Sequence, residues 1–250
     1  MNEWLDDFKT AIAFLTRLPM PHPQGPMPPN FVRAHRMFPL VGALIGAAIG
    51  LLCLALRAAG LPDLAAAALA LGGGMMLTGG LHEDGLADVA DGFGGGRDIA
   101  AKLEIMRDSR LGTYGALALL VSFAAKLSAL AALPDARIVY GMIAAHALAR
   151  GVLPVMSLNL PYARKDGLAA NAGRPDAAVA LAAMAIALVI ALLALSWANA
   201  FWAALVTAIG ALVMAWLARR QIGGQTGDVL GATEQVAETA VLLLLAARVG

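Results

Sequence analysis

Two uncharged runs, 38–56 and 64–81, are each close to the length of helix that crosses a bilayer. A hydrocarbon core about 30 Å thick takes roughly 20 residues of helix, and irregular backbone cannot face lipid there. Further apolar runs follow at 111–133, 138–156, 178–198 and 200–218, with a weaker and shorter one at 236–249. Only 14% of the 250 residues are charged and 60% are hydrophobic. A soluble domain carries about 25% charge. A soluble core this rich in Ala and Gly would also bury little apolar area per helix. The expected fold is therefore all-α: a polytopic membrane bundle of about six or seven transmembrane helices forming one domain over 1–250. Gly42, Gly46 and Gly50 make a small-xxx-small face suited to close helix packing in lipid, and such faces leave a homo-oligomer open.

Residues 1–37 combine an amphipathic start (Trp4, Leu5, Phe8, Phe14, Leu15) with a Pro-rich stretch from Pro19 to Pro29, and read as an interfacial, cytoplasmic segment. They carry no small-residue cleavage signature, so the first run reads as a retained span. Cys53 lies inside an apolar run and reads as packing. The net charge of +1 gives no field that would draw nucleic acid.

Lys and Arg counts in successive connections run 4, 1, 4, 1, 3, 0, 2, 1 from the N-terminus. That alternation places the N-terminus, the acidic segment 82–110 and the Gly-rich segment 219–235 in the cytoplasm. The acids gather on the same side. Segment 82–110 alone holds seven, against Asp63 and Asp135 on the other face.

Within it, Asp84, Asp88 and Asp91 stand at i, i+4 and i+7, an arc of about 60° on a helix. Like charges stacked on one stripe repel each other, and a hard cation with oxygen ligands, Mg²⁺ or Mn²⁺, relieves the repulsion. Glu83 points about 100° away and is a secondary ligand candidate. His82 either orients a carboxylate, touches substrate or marks the membrane boundary; no Cys or His cluster accompanies it, which argues against zinc. Glu104, Arg107 and Asp108 share a helical spacing, and the cations Lys102, Arg107 and Arg110 beside the acids fit a phosphorylated ligand. Gly224, Gln225, Thr226 and Asp228 lie in a turn able to offer backbone N–H groups to an anion. Arg33 and Arg36 either snorkel or contact phosphate. Lys126, His146 and Arg150 fall inside spans and are expected to face the bundle.

These features describe a membrane enzyme that uses a divalent metal on a phosphate or diphosphate. The stretches 79–92, 103–113 and 223–228, together with Phe14–Pro19 and Phe38–Gly42, closely resemble the adenosylcobinamide-GDP ribazoletransferase (cobalamin synthase) family. That resemblance covers nearly the whole chain in order; Glu83 stands where the family often has Asp. It implies a Mg²⁺-dependent enzyme of a bacterial inner membrane, with its active site facing the cytoplasm. A ribose hydroxyl of α-ribazole or its phosphate would attack the phosphorus of adenosylcobinamide-GDP, releasing GMP. On that basis Asp84, Asp88 and Asp91 form the metal centre, with Asp91 preferred as the base. Arg107, Arg110 and Lys102 hold phosphates, and Asp108 and Asp228 serve a second metal or the ribose. Two other classes fit less well. A membrane prenyltransferase typically has two Asp-rich motifs, and a transporter would show paired broken helices near the midplane.

Overall fold

The structure is a computed structural model and describes residues 3–20, 30–164 and 173–248. Most of the Pro-rich stretch and Lys165 lie outside those residues. The described chain is helical throughout, with one isolated parallel bridge between Tyr162 and Gln225. In order, the helices are α1 (Glu3–Leu15), α2 (Phe31–Ala34), α3 (Phe38–Ala58), α4 (Asp63–Thr78), α5 (Leu81–Gly95), α6 (Ile99–Ile105), α7 (Thr113–Ala132), α8 (Asp135–Gly151), α9 (Leu153–Asn159), α10 (Ala177–Ala194), α11 (Trp197–Ile222) and α12 (Gly227–Ala247). A single 3₁₀ turn, His35–Met37, joins α2 to α3.

Six of the described helical segments are long and apolar enough to cross a bilayer, and a seventh crossing follows if the bent pair α4–α5 counts as one span. The central helix is α8, which packs against α3, α10 and α12. Its contact with α3 uses the small-residue face: a Cβ on Gly46 would lie 2.3 Å from the carbonyl oxygen of Met142. Outer faces of α10 and α11 present Leu193, Leu212 and Trp216 outward, as lipid-facing helices do.

The amphipathic N-terminus is built into the bundle. Asp7, fully buried, accepts hydrogen bonds from Asn30 Nδ2 (2.9 Å) and Arg33 Nε (2.9 Å) and pairs with Arg36 at 2.7 Å. Both arginines of the basic cluster thus fasten α2 and the following 3₁₀ turn to α1.

Three boundaries differ from the sequence reading. First, the run 64–81 stops at Thr78. Gly79 and Gly80, with φ of +69° and +66°, take the left-handed conformation that glycine adopts without strain, and α5 leaves at 91° to α4. Second, α6 ends at Ile105, so Arg107 and Asp108 lie past its end and do not continue the face of Glu104. Third, 219–235 is not one loop. Helix α11 continues to Ile222, a four-residue turn follows, and α12 begins at Gly227. The last helix therefore has 21 residues, about 31 Å, a full crossing in place of the short 236–249. Polar residues in its first turns hid it from a hydropathy reading. The one bent pair among the described residues is α4–α5, without the second that a transporter would show.

Candidate active site

Helix α5 runs across the bundle instead of along it, and its stripe of aspartates is real. Its tight contact with α12 decides where that stripe points. Gly85 meets the backbone of Asp228 and Gly231, where a Cβ would lie 2.8 Å from the Asp228 carbonyl oxygen. That approach brings Asp228, from the far end of the chain, beside Asp84 and Asp88. Thr226 caps α12, receiving the Val229 N–H on its Oγ1 (3.3 Å), and its own hydroxyl donates to Asp228 Oδ2 at 3.0 Å. Arg164 reaches the same oxygen at 3.4 Å.

Burial, followed by the charges of Asp84, Asp228 and Asp91, pushes the Asp88 carboxyl up to about 7, with Arg164 as the opposing cation. Asp84 and Asp228 stand on the rim of a cavity of roughly 180 Å³ enclosed by α1, α2, α5, α9 and α12. Carboxylates under-compensated beside a cavity suit a hard cation and a polar ligand.

Asp91 sits elsewhere. It is buried, and its two oxygens accept the backbone N–H groups of Gly112 (2.8 Å) and Gly115 (2.9 Å). The Asp91 side chain thus caps α7 from another helix, where a carboxylate satisfies orphan donors and complements the helix dipole. A Cβ on Gly112 or Gly115 would lie within 2.4 Å of those oxygens, which explains both glycines of the segment 111–115. Asp91 thereby locks α5 to α7 and holds the stripe in register.

The cations expected to hold phosphate do not line the cavity. The Lys102 ammonium donates to Gln221 at the end of α11. Arg110 and Asp108 pair with each other, which holds the Asp108 carboxyl below and the Arg110 guanidinium above their ordinary values. Arg107 is exposed on the turn after α6. The glycine turn is also committed to structure. Gly224 lies against Pro161, Gln225 donates its N–H to the Pro161 carbonyl (2.8 Å), and its buried side chain donates to the Ser157 carbonyl (2.9 Å).

Glu83 faces the other way, into a buried network the sequence reading did not assemble. Lys126 Nζ lies 3.2 Å from Glu238, 3.8 Å from Glu83 and 2.8 Å from Gln235 Oε1. Arg150 pairs with Glu234 and lies 2.8 Å from His146 Nδ1; His146 lies 3.2 Å from Glu238. His82 joins this network through Arg150 (3.4 Å) and also lines the cavity. Lys126, His146 and Arg150 do face the bundle, as expected, but Glu234, Gln235 and Glu238 were missed. The signal was available: intramembrane cations need counter-ions, and Glu234 and Glu238 stand at i, i+4 just before an apolar run. His146, Glu234 and Glu238 bring ligand atoms within 4.8 Å of one another, the one such group among the described residues. Lys126 and Arg150 already neutralise its carboxylates, so it serves as an ionic clamp between α7, α8 and α12.

The fold and site therefore define a polytopic membrane enzyme with a carboxylate cluster at a cavity mouth. Residues 7–246 match the model of the cobalamin-5-phosphate synthase family, and the chain belongs to it. It is 44% identical over 242 residues to an adenosylcobinamide-GDP ribazoletransferase of Bradyrhizobium diazoefficiens, covering 96% of this chain and 93% of that one. Proteins of the same description from Sinorhizobium medicae (43%, 98% of each chain) and Chlorobaculum tepidum (43%, 97% and 95%) are similarly close. No solved structure matches the chain.

Proposed function

We propose that the chain transfers the adenosylcobinamide-phosphate group of adenosylcobinamide-GDP to α-ribazole or its phosphate, releasing GMP, at the cytoplasmic face of a bacterial inner membrane. The observation that carries this reading is the approach of Asp228 on α12 to Asp84 and Asp88 on α5, with Asp84 and Asp228 lining one cavity. The family membership and the names of the relatives supply the reaction class.

Mg²⁺ suits this donor set: three hard oxygen ligands with Arg164 as the nearby cation, two of them, Asp88 and Asp228, pushed up chiefly by burial and then by neighbouring carboxylates. Asp84, Asp88 and Asp228, whose oxygens do not all lie within 4.8 Å of one another here, would draw together to hold it, and when bound it supplies charge neutralisation on the diphosphate and on the departing GMP. One of the three carboxylates accepts the proton of the attacking ribose hydroxyl. Asp91 is poorly placed for that task, since both its oxygens serve backbone donors. Its role here is to fix the angle of α5. The alternation of positive charge supports a cytoplasmic N-terminus and a cytoplasmic site.

Purified protein in detergent, given both substrates and Mg²⁺, is expected to release GMP in step with cobalamin formation, and chelation should stop it. Absence of GMP release in a folded preparation would remove the assignment. A second expectation concerns the α5–α12 contact. Gly85→Ala forces two backbones apart, and misplacing reacting groups by about 1 Å costs on the order of 10²-fold. Turnover should fall by about that factor with helix content unchanged by circular dichroism; wild-type turnover would show that Asp228 is not needed beside Asp84.

A further inference from the structure

Beyond the two carboxylates Asp84 and Asp228, the walls of the cavity are distinctive. They are formed by Phe14, Phe31, Leu81, Leu153 and Leu230, drawn from both ends and the middle of the chain. Phe14 and Phe31 meet edge to face at 4.8 Å between ring centroids, and Phe14 stacks on Phe38 at 5.8 Å, so the aromatic wall is rigid. The buried Asp7 cluster holds that wall in place by tying α1 to α2.

Apart from the two carboxylates, each polar side chain at the cavity is tied to the protein through one of its atoms. His35 donates from Nδ1 to the Val32 carbonyl at 2.9 Å. Ser157 Oγ lies 3.4 Å from Gln225 Nε2, and His82 turns Nδ1 toward Arg150 and Glu234. A ligand lodged there finds an apolar, aromatic surface and charge only at the rim. Guanine, with hydrogen-bonding atoms on every edge, would leave several of them without partners, at about 1–3 kcal/mol each. A dimethylbenzimidazole carries polar atoms only at its two ring nitrogens, one of them in the glycosidic bond. The volume agrees: a cavity of about 150 Å³ lined by apolar side chains accepts benzene, and this one, at roughly 180 Å³ with the exposed Asp84 in its lining, takes a fused two-ring base but no corrin macrocycle.

We infer that the pocket walled by Phe14, Phe31, Leu81, Leu153 and Leu230 is the acceptor subsite, seating the apolar benzimidazole base of a ribonucleoside with its ribose directed to the Asp84–Asp228 rim. This inference rests on the proposed transfer reaction and adds to it where the acceptor binds. The N-terminal segment then becomes part of the substrate site, although nothing in its sequence carries catalytic chemistry.

Equilibrium dialysis of the full-length protein in detergent tests it, with radiolabelled α-ribazole and GMP as separate probes. Leu230→Trp fills the cavity from a half-buried wall position. It is expected to weaken α-ribazole binding at least tenfold while GMP binding stays within twofold. Unchanged α-ribazole affinity, or equal loss of both probes, overturns the subsite. A photoreactive azidobenzimidazole riboside on the unsubstituted protein removes any dependence on how the variant folds. Cross-links at Phe14, Phe31, Leu153 or Leu230, suppressed by excess α-ribazole, support the subsite, and labelling confined to other segments overturns it. Both measurements read binding without turnover. Loss of the subsite with GMP release intact therefore leaves the transferase reading standing, and the converse leaves a benzimidazole site without that reaction.

Discussion

Asp88→Asn is expected to lower GMP release by about 10³-fold, roughly 4 kcal/mol of transition-state stabilisation, while making the metal-free protein more stable above neutral pH. Both effects follow from the burial of Asp88 beside Asp84 and Asp228. Its carboxyl is pushed up to about 7 from an ordinary 3.8, so the folded state holds a proton there that the unfolded chain has already lost. A raised carboxyl value contributes stability that is complete below about 4 and is lost as pH rises through about 7. Asparagine removes the charge that must otherwise form among like charges, so thermal unfolding in chelator at pH 8 should move to higher temperature. The same sign governs the metal. Binding competes with the proton on Asp88, so Mg²⁺ affinity should increase as pH is raised toward and past 7, and the variant should lose most of that dependence. A variant with near-normal turnover, or one less stable than wild type at pH 8 in chelator, would refute the placement of Asp88 in the ligand cluster.

The second large effect is structural. Arg150→Met leaves the fully buried Glu234 without its principal cation and removes one of two cations near Glu238. Removing one partner of a buried ion pair costs about 3–5 kcal/mol, because the remaining charge is stranded away from water. Arg150 is 1% exposed and Glu234 0%, so solvent cannot rescue either. The expected outcome is a large drop in unfolding temperature in detergent and poor recovery from membranes. Adding Glu234→Gln should restore most of the loss, since the stranded charge is then gone. If the double variant shows the sum of the two single losses, or Arg150→Met unfolds like wild type, the clamp is not an electrostatic unit.

The two halves of the site reached the sequence reader unequally. The stripe of Asp84, Asp88 and Asp91 was legible because helical periodicity is local: an i, i+4, i+7 spacing fixes three directions whatever surrounds it. The bundle was legible for a related reason, since lipid imposes length and apolarity on each span independently. Which aspartate does what was not legible. Asp91 leaves the expected trio because Gly112 and Gly115, more than twenty residues away, bring backbone donors to it. Asp228 joins Asp84 and Asp88 because Gly85 lets α12 approach α5 to backbone contact. Such partnerships depend on inter-helix distances, which no spacing along the chain encodes.

Lys102, Arg110 and Asp108 illustrate the same limit in the other direction. Their charges predicted phosphate contacts, yet each satisfies a neighbour within the protein. Polar residues from Asp228 to Gln235 interrupt the hydropathy of α12, so Glu234, which neutralises Arg150, fell outside the apparent last span.

By itself, then, the amino-acid order determined a helical membrane protein with an acidic stripe on one helix, because solvent and helix geometry act on each segment alone. Only the tertiary structure decided that α5 turns by 91° at Gly79–Gly80, that its carboxylates divide between a cavity rim, an ionic clamp and a helix cap, and that Phe14 and Phe31 wall the cavity. Those outcomes follow from how closely two backbones approach and which buried charges meet, quantities that exist only once the helices have packed.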